Sequence, residues 1–463
     1  MSMERAEADN TPKKDPRRIR RIHRINKNFF LHIHAAKVHP LVLRPTYTLG
    51  LGVILGFLFV IMILTGVVLM AYYTPSVDQA YNSVKDIIYT VPGGRIVRNI
   101  HRLASYGMVL VSFLHMLRVF YTGSYIQGRS TNWVIGVVLF ILVLLMSFSG
   151  YLLPWDQLSY WAVTIGSNIA ASARELTDLL GITAAVDVGG FMKKLLIGGE
   201  TVGQAALTRF FMLHVIFLPL AVLILTGVHF WRIRKDGGLT RPADPAHHNP
   251  VRREKWLAWP VVMWAELTIF LAVTAILLSL ALFIDAPLLE RANPAHPENP
   301  AKSPWYFLGI QELVAYSAFS GGLLVPLLFL VFLFSIPYHD REERYTGQWF
   351  SGRKGLHLTL RSALLALVVV VLLVFIKVEW GWLRDWFPGT PQFIIMLVNP
   401  ATLPAAIFAL SSLRTGKRTG STRMAAIALF TTAIVALIIF TVIGIWFRRS
   451  EEHTSELQSL LII

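Results

Sequence analysis

The sequence predicts an all-α polytopic membrane protein of nine transmembrane helices, and three observations carry that prediction. Of 463 residues, 54% are apolar and 15% charged, with a mean hydropathy of +0.55, proportions that no soluble core requires. Apolar runs of about 20 residues, the length that crosses a hydrocarbon slab, recur at 47–72, 103–122, 132–153, 210–231, 259–284, 314–336, 360–378, 392–412 and 424–447. With a cytoplasmic N-terminus, 29 of the 43 Lys and Arg fall on the cytoplasmic side and 14 outside, the positive-inside bias of a threaded chain. The net charge of +16 therefore tracks helix ends instead of forming a basic patch, which argues against a nucleic-acid partner.

Residues 1–45 form a basic cytoplasmic segment. Within it "DPRRIRRIHRINKNFF" (15–30) either lies on the anionic inner leaflet, with Ile and Phe toward the chains, or serves as a solvated orientation signal. No cleavable signal is visible, and Glu4, Glu7, Asp9 and Asp15 argue against an organelle transit peptide. A bacterial cytoplasmic membrane is the expected location. The chain has no cysteine, which excludes disulfides, thioether-linked haem and thiolate-held iron–sulfur clusters within it. The last residues, 450–463, follow a completed helix with unrelated composition and read as a non-native tail.

The second and fourth spans each carry two histidines. His101 and His115 are 14 residues apart, and His214 and His229 are 15 apart. Both intervals are close to four helical turns, about 21 Å, so each helix shows two imidazoles on roughly one face at two depths. Both spans run from outside to inside, so His101 should face His214 at the outer level and His115 should face His229 at the inner. Imidazole suits zinc, copper and iron. Two ligands from parallel helices leave such a metal under-coordinated unless a planar group fills its equator, and haem does this while keeping two axial positions for histidine. The alternative for any one of them is a hydrogen-bonded histidine in a bundle, but intramembrane ionisable residues mark functional sites by default and four in matched register point to a ligand.

The first and third spans repeat the interval in glycine, with Gly52 and Gly66 on one and Gly136 and Gly150 on the other. Glycine leaves room for a large flat ring, or simply aids helix packing. Haem propionates need cations, and Arg98, Arg102, Arg118, Arg209 and Arg234 lie near the ends of the histidine-bearing spans, where guanidinium can pair with carboxylate. Residues 46–240 are thus expected to form a four-helix bundle holding two non-covalent b-type haems, followed by about five further transmembrane helices. The remaining histidines, among them His23, His32, His34, His39, His247, His248, His296, His339 and His357, are expected in loops or at interfaces.

"RNIHRLASYGMVLVSFLHMLRVFYTG", "GYLLPWDQLSYWAV" and "LTRFFMLH" resemble the haem-binding half of the cytochrome b subunit of quinol-oxidising cytochrome bc complexes. The 15-residue interval resembles the chloroplast-type branch. "ENPAKSPWYFLGIQELVAYSAFSGG" resembles the quinol-site loop and following helix, so residues 255–380 look like the C-terminal half, here fused in one chain. The last two spans, within 391–449, have no counterpart in the minimal pattern. Two departures stand out. The loop motif is usually Pro-Glu-Trp-Tyr, whereas Ser303, Pro304, Trp305 and Tyr306 read "SPWY"; Glu312 is the candidate substitute for the missing glutamate, or else a residue capping the helix expected at 314–336. The extra covalent haem of the chloroplast type cannot be held that way without cysteine.

The resemblance implies quinol oxidation near the outer face between Tyr160 and Trp161 on one side and Pro304, Trp305, Tyr306 and Glu312 on the other. One electron would leave to a Rieske-type iron–sulfur protein and a c-type cytochrome. The other would cross through the outer and inner haems to a quinone near Arg234, building a proton gradient from the quinone pool. It also implies a homodimer within a larger complex surrounded by membrane lipids. The aromatic residues can instead be interfacial belt residues. Asp156 either accepts a proton or caps the helix after "PWDQ", and Glu266 either relays protons or pairs with a neighbouring helix. Residues 166–208 are expected as short surface helices roofing the outer pocket, and 291–304 as a proline-rich loop ordered by packing. Two rivals remain: a dihaem membrane anchor exchanging electrons with a multihaem cytochrome without splitting the quinol pair, and a transporter using histidines as proton relays.

Overall fold

A computed structural model describes residues 37–38, 40, 44–236, 238–240, 257–296, 302–343 and 345–447. Most of the basic N-terminal segment, including 15–30, the histidines His23, His32, His34, His39, His247 and His248, and the tail 450–463 lie outside the described residues. The all-α expectation holds. Beside the helices, the strand structure among the described residues is one antiparallel pairing of Lys37–Val38 with Leu257–Ala258.

The first half contains α1 (Leu51–Met70), α2 (Ala80–Tyr89), α3 (Gly94–Tyr121), α4 (Ser130–Tyr151), α5 (Gln157–Ala171), α6 (Arg174–Leu179), α7 (Val188–Ile197), α8 (Gln204–Met212) and α9 (Leu218–Lys235). The second half contains α10 (Trp259–Phe283), α11 (Trp305–Tyr316), α12 (Val325–His339), α13 (Arg353–Trp380), α14 (Leu383–Trp386), α15 (Gln392–Leu397), α16 (Thr402–Thr419) and α17 (Thr422–Trp446). Among the described residues eight helical stretches are long and apolar enough to cross a membrane, not nine. The stretch expected to span at 392–412 is interrupted. Residue 399 precedes a proline and so avoids the helical region, and the Asn399 side-chain oxygen accepts from the Ala401 and Thr402 amides at 2.8 and 3.1 Å. That starts α16 afresh, and Arg414, Lys417 and Arg418 in its later turns lower its hydropathy.

Two other spans carry a π-helical turn, at Leu213–Phe217 and Ser320–Leu324, each followed directly by a helix with proline in its first turn. Pro219 and Pro326 have no amide hydrogen to give the carbonyl four residues back, so the preceding turn widens. The expected span 314–336 accordingly divides: α11 ends where Ser317 turns extended (φ −169°, ψ 126°), and the crossing helix starts at Ser320.

Helix α3 starts nine residues before its apolar run. Gly93 (φ +75°) supplies the left-handed turn that precedes it. Its first turns hold the end of α10: the Asn99 side chain donates to Ala281 O (3.0 Å) and Asp285 Oδ1 (2.8 Å) and accepts from the Ala286 amide (2.8 Å).

The "PWDQ" segment fastens the two halves together beyond the end of α4. Asp156 caps α5, accepting from the Ser159 amide at 2.9 Å, while its other oxygen accepts from the Leu289 amide at 3.1 Å. The Gln157 amide donates to Glu290 O (2.8 Å) and the Ala292 amide to Trp155 O (3.1 Å), and the Gln157 side chain accepts from the Asn293 amide (2.7 Å) and donates to His296 O. The capping role is thus the one the geometry supports, and these bonds hold residues 291–296 of the loop expected over 291–304, of which 297–301 lie outside the described residues. Losing a cap costs about 0.5–2 kcal/mol and a further buried hydrogen bond about 0.5–1.5 kcal/mol. Asp156→Ala should therefore lower stability by about 2 kcal/mol, visible as a lower thermal midpoint of the helical circular-dichroism signal, whereas Asp156→Asn keeps the cap to Ser159 and loses the bond from Leu289. An unchanged Asp156→Ala transition would mean that the junction holds without this carboxylate.

Candidate functional site: paired imidazoles across the bundle

Each histidine pair is delivered by α3 and by the continuous helix formed by α8, the π-turn and α9. The structure brings His101 to His214, with ring centres 6.3 Å apart and planes at 78°, and His115 to His229, at 6.5 Å and 75°. The unequal spacings are reconciled by the π-turn, which contains His214. A π-turn takes up one extra residue, so 15 residues on this helix advance about as far as 14 on α3.

Nδ1 of His101 lies 2.9 Å from Thr65 Oγ1. Nδ1 of His214 lies 3.2 Å from Ser149 Oγ and 3.1 Å from Met146 O. Contacts of this kind fix a ring's tautomer and leave Nε2 for a metal. Thr65 and Ser149 escaped the sequence analysis, although each directly precedes a glycine of the 14-residue pattern. The glycines face the imidazoles themselves: a Cβ would lie 3.6 Å from His115 Cε1 at Gly52, 3.2 Å from His101 Cε1 at Gly66, 3.6 Å from His229 Cε1 at Gly136, and 2.5 Å from His214 Cε1 at Gly150. The space they leave is taken by a ring edge at the same level, so the flat group expected to nest on the glycines meets imidazole there first.

These distances rank the four positions. Gly150→Ala must push His214 aside, and so should lower the outer site's haem occupancy severalfold, while Gly52→Ala and Gly136→Ala, at ordinary contact distance, leave occupancy unchanged. Haem per chain in the purified variants measures this. Equal losses at all four positions would remove the packing explanation.

The residues fit haem. With about 2.0–2.1 Å per metal–imidazole bond and about 1.1 Å from nitrogen to ring centre, an atom shared by two facing rings sets their centres about 6.3 Å apart. Among the described residues no cluster of three or more His, Cys, Asp or Glu could hold an ion; a haem macrocycle would supply the remaining ligands of a metal between these rings. Beside the outer pair lies a cavity of about 320 Å³, bordered by Gly66, His101, Arg102, Gly150, His214 and Tyr306 among others.

The arginines divide. Arg102 borders the cavity, donates to the Tyr106 hydroxyl (2.7 Å) and keeps a buried Nε without a hydrogen-bond partner. Arg98 also borders it, but its guanidinium is engaged by the carbonyls of Ala286 (2.6 Å) and Pro287 (2.8 Å). Arg118, one turn beyond His115, is 3% exposed, lies over the Tyr47 ring (4.8 Å) and has a buried Nη2 without a hydrogen-bond partner. Arg234 is in the last turn of α9. Arg209 is not brought to the cavity; it donates to Lys194 O (3.0 Å) and Leu195 O (2.5 Å), finishing the exposed C-terminus of α7, which needs donors for its free carbonyls.

The expected quinol-site residues also separate. Tyr306 borders the cavity, with its ring 6.0 Å from that of Tyr106. Burial, with the nearby Tyr106, pushes its phenol up to about 12 against a Ser147 hydrogen bond and the Arg102 charge; it stays a neutral donor at any physiological pH. Pro304 is buried at the head of α11 and Trp305 is 36% exposed. Tyr160 and Trp161 do not border the cavity: both pack in the outer core with Trp155, Leu207 and Phe210, and burial raises the Tyr160 phenol against a Thr164 hydrogen bond. Glu312 does not reach the cavity either. It is about a third of a turn round α11 from Tyr306 and about 9 Å further along the axis, buried where α17 passes. It lies well inside α11, so it is not a residue at the helix start.

The sequence pattern of the family Cytochrome b/b6/petB matches residues 35–237. Cytochrome b6 of Prochlorococcus marinus strain MIT 9515 is 42% identical over 180 residues, covering 39% of this chain and 77% of that protein. The cytochrome b6 of strain MIT 9303 is 41% identical over the same coverage. In fold, the chain superimposes on a solved chain titled "Hyperthermophilic respiratory Complex III" with a TM-score of 0.61 and 21% identity, covering 95% of this chain and 98% of that one. Histidines at matched depths, glycines against each ring and similarity to cytochrome b6 across the haem-binding half lead to one assignment: this chain belongs to the cytochrome b/b6 family.

Proposed function

We propose that the chain is the dihaem cytochrome b of a quinol-oxidising bc-type complex in a bacterial cytoplasmic membrane. The observation that carries this reading is the pair of facing imidazoles at each of two depths, 6.3 and 6.5 Å between ring centres. His101 and His214 hold the outer haem, and His115 and His229 the inner. When bound there, haem supplies reversible one-electron chemistry at both levels. Thr65, Ser149 and the Met146 carbonyl orient the outer rings. Arg102 and Arg118, with buried nitrogens left without hydrogen-bond partners, are best placed to meet propionates, one at each level.

Tyr306, brought by α11 to the edge of the outer cavity, would meet a quinol head beside the haem, while Arg102 stays with the propionate. Its partners are a Rieske-type iron–sulfur protein, a c-type cytochrome and the quinone pool, within a homodimeric complex. Moving one charge across the membrane costs about 2.3 kcal/mol per 100 mV, and quinol oxidation supplies it, so the reaction conserves energy as a proton gradient. A redox-titrated difference spectrum of the purified full chain tests this: two b-type components with distinct midpoint potentials are expected, together with quinol-driven reduction in the assembled complex. A colourless protein would overturn the reading in favour of a histidine-relay transporter.

A further inference from the structure

Helices α11 and α17 meet through glycine from both sides. A Cβ on Gly309 of α11 would lie 2.7 Å from Leu437 Cδ1, 2.8 Å from Thr441 Oγ1 and 2.9 Å from the Leu437 carbonyl oxygen on α17. A Cβ on Gly444 of α17 would lie 3.3 Å from Leu308 Cβ and from Glu312 Oε1. Leu308, Gly309 and Glu312 are all buried. The segment leading into α11 is tied to the same place, since Lys302 Nζ donates to Ile445 O at 3.1 Å, and the Ser303 amide donates to Gln311 Oε1 at 2.9 Å, folding that segment back onto its own helix. Three residues before Gly309 on α11, about a sixth of a turn round the helix, Tyr306 borders the cavity beside His101, His214 and Arg102.

A helix held by backbone-to-backbone approach on one face has little freedom to slide, because close-packed interfaces transmit displacement. We propose that Gly309 and Gly444 form a seat that sets the depth of α11 and thereby the place of Tyr306 at the outer cavity. Gly444, on the last transmembrane helix, is then a positioning residue for that site. Only the identity of the molecule in the cavity rests on the quinol reading. The placement of Tyr306 does not.

The chain has no cysteine, so Tyr306→Cys creates a single thiol whose maleimide-labelling rate reports its surroundings in the purified full chain. Adding Gly444→Leu should change that rate about tenfold, Gly444→Ala should change it about two- to threefold in the same direction, and Gly309→Ala, pressing from the other side, should match it. The b-haem absorbance shows that each variant is folded. In the assembled complex with Tyr306 intact, Gly444→Ala should raise quinol KM severalfold with a smaller change in kcat and an unchanged inner-haem potential. Labelling rates equal in all backgrounds, or inner and outer haem bands shifting alike, would overturn the seat. If the rates move while the parent complex oxidises no quinol, the seat stands and the quinol reading falls.

Discussion

His101→Ala and His214→Ala should each remove the same half of the b-haem spectrum, leaving one haem per chain with the potential of the inner component. His115→Ala and His229→Ala should leave the complementary half. The expectation follows from the facing geometry: each imidazole has one partner ring at about 6.4 Å, and the levels do not share a ligand. Loss of either partner leaves its opposite ring without the group it is oriented toward. His101 would remain held by Thr65, and His214 by Ser149 and Met146, in an apolar bundle that cannot supply a substitute. Quinol-driven electron transfer should stop with any of the four. Haem content and redox-titrated spectra measure all of this, and different residual components after the two outer substitutions would refute the pairing.

Arg423→Ala should destabilise the chain by about 3–5 kcal/mol, the usual consequence of leaving one member of a buried ion pair without its partner. Arg423 sits in the first turn of α17, is 1% exposed, and is the largest of the fully buried side chains. Its Nε donates to Asp340 Oδ2, Nη2 donates to Glu342 O at 2.6 Å, and its guanidinium lies 5.6 Å from the Tyr125 ring centre. The Tyr125 hydroxyl donates to the same Asp340 oxygen at 2.5 Å. Gly123, with φ +60°, lets the guanidinium pass where a Cβ would stand 2.2 Å from Nη1. One side chain thus joins the end of α3, the end of α12 and the start of α17. Arg423→Lys should recover little, because a point charge cannot satisfy a forked donor site. The double variant Arg423→Met with Asp340→Asn should cost less than Arg423→Ala, since it removes both charges at nearly constant volume and leaves an acceptor for the Tyr125 hydroxyl. Thermal loss of b-haem absorbance reads the series, and an Arg423→Ala transition equal to the parent's would show that the network holds nothing.

The contrast between the two predictions reflects what could be read at each level. The histidine register was legible because helical periodicity and hydropathy are local: residue spacing along one span decides which face and depth a side chain takes, and two spans running the same way must match level for level. The glycine interval was legible for the same reason, though not that the glycines back the imidazoles. The ninth expected span failed because apolar composition hides a proline; Asn399 and Pro400 end α15 and restart the chain at α16 through two local hydrogen bonds. The π-turn at His214 was signalled only by Pro219, which dictates a missing donor but not the extra residue that keeps the rings level.

Sequence alone determined eight of the nine expected membrane-spanning helices, the four imidazoles and their two depths, since each follows from backbone geometry within a single helix. Tertiary structure alone decided which candidate residues meet: that Arg209 finishes α7, that Tyr160 and Trp161 pack into the outer core, that Glu312 lies against α17, and that Arg423 finds Asp340 across 83 residues. Those outcomes depend on how closely two distant backbones approach, and that distance is set by the small residues and partners on both sides at once, which no single stretch of chain contains.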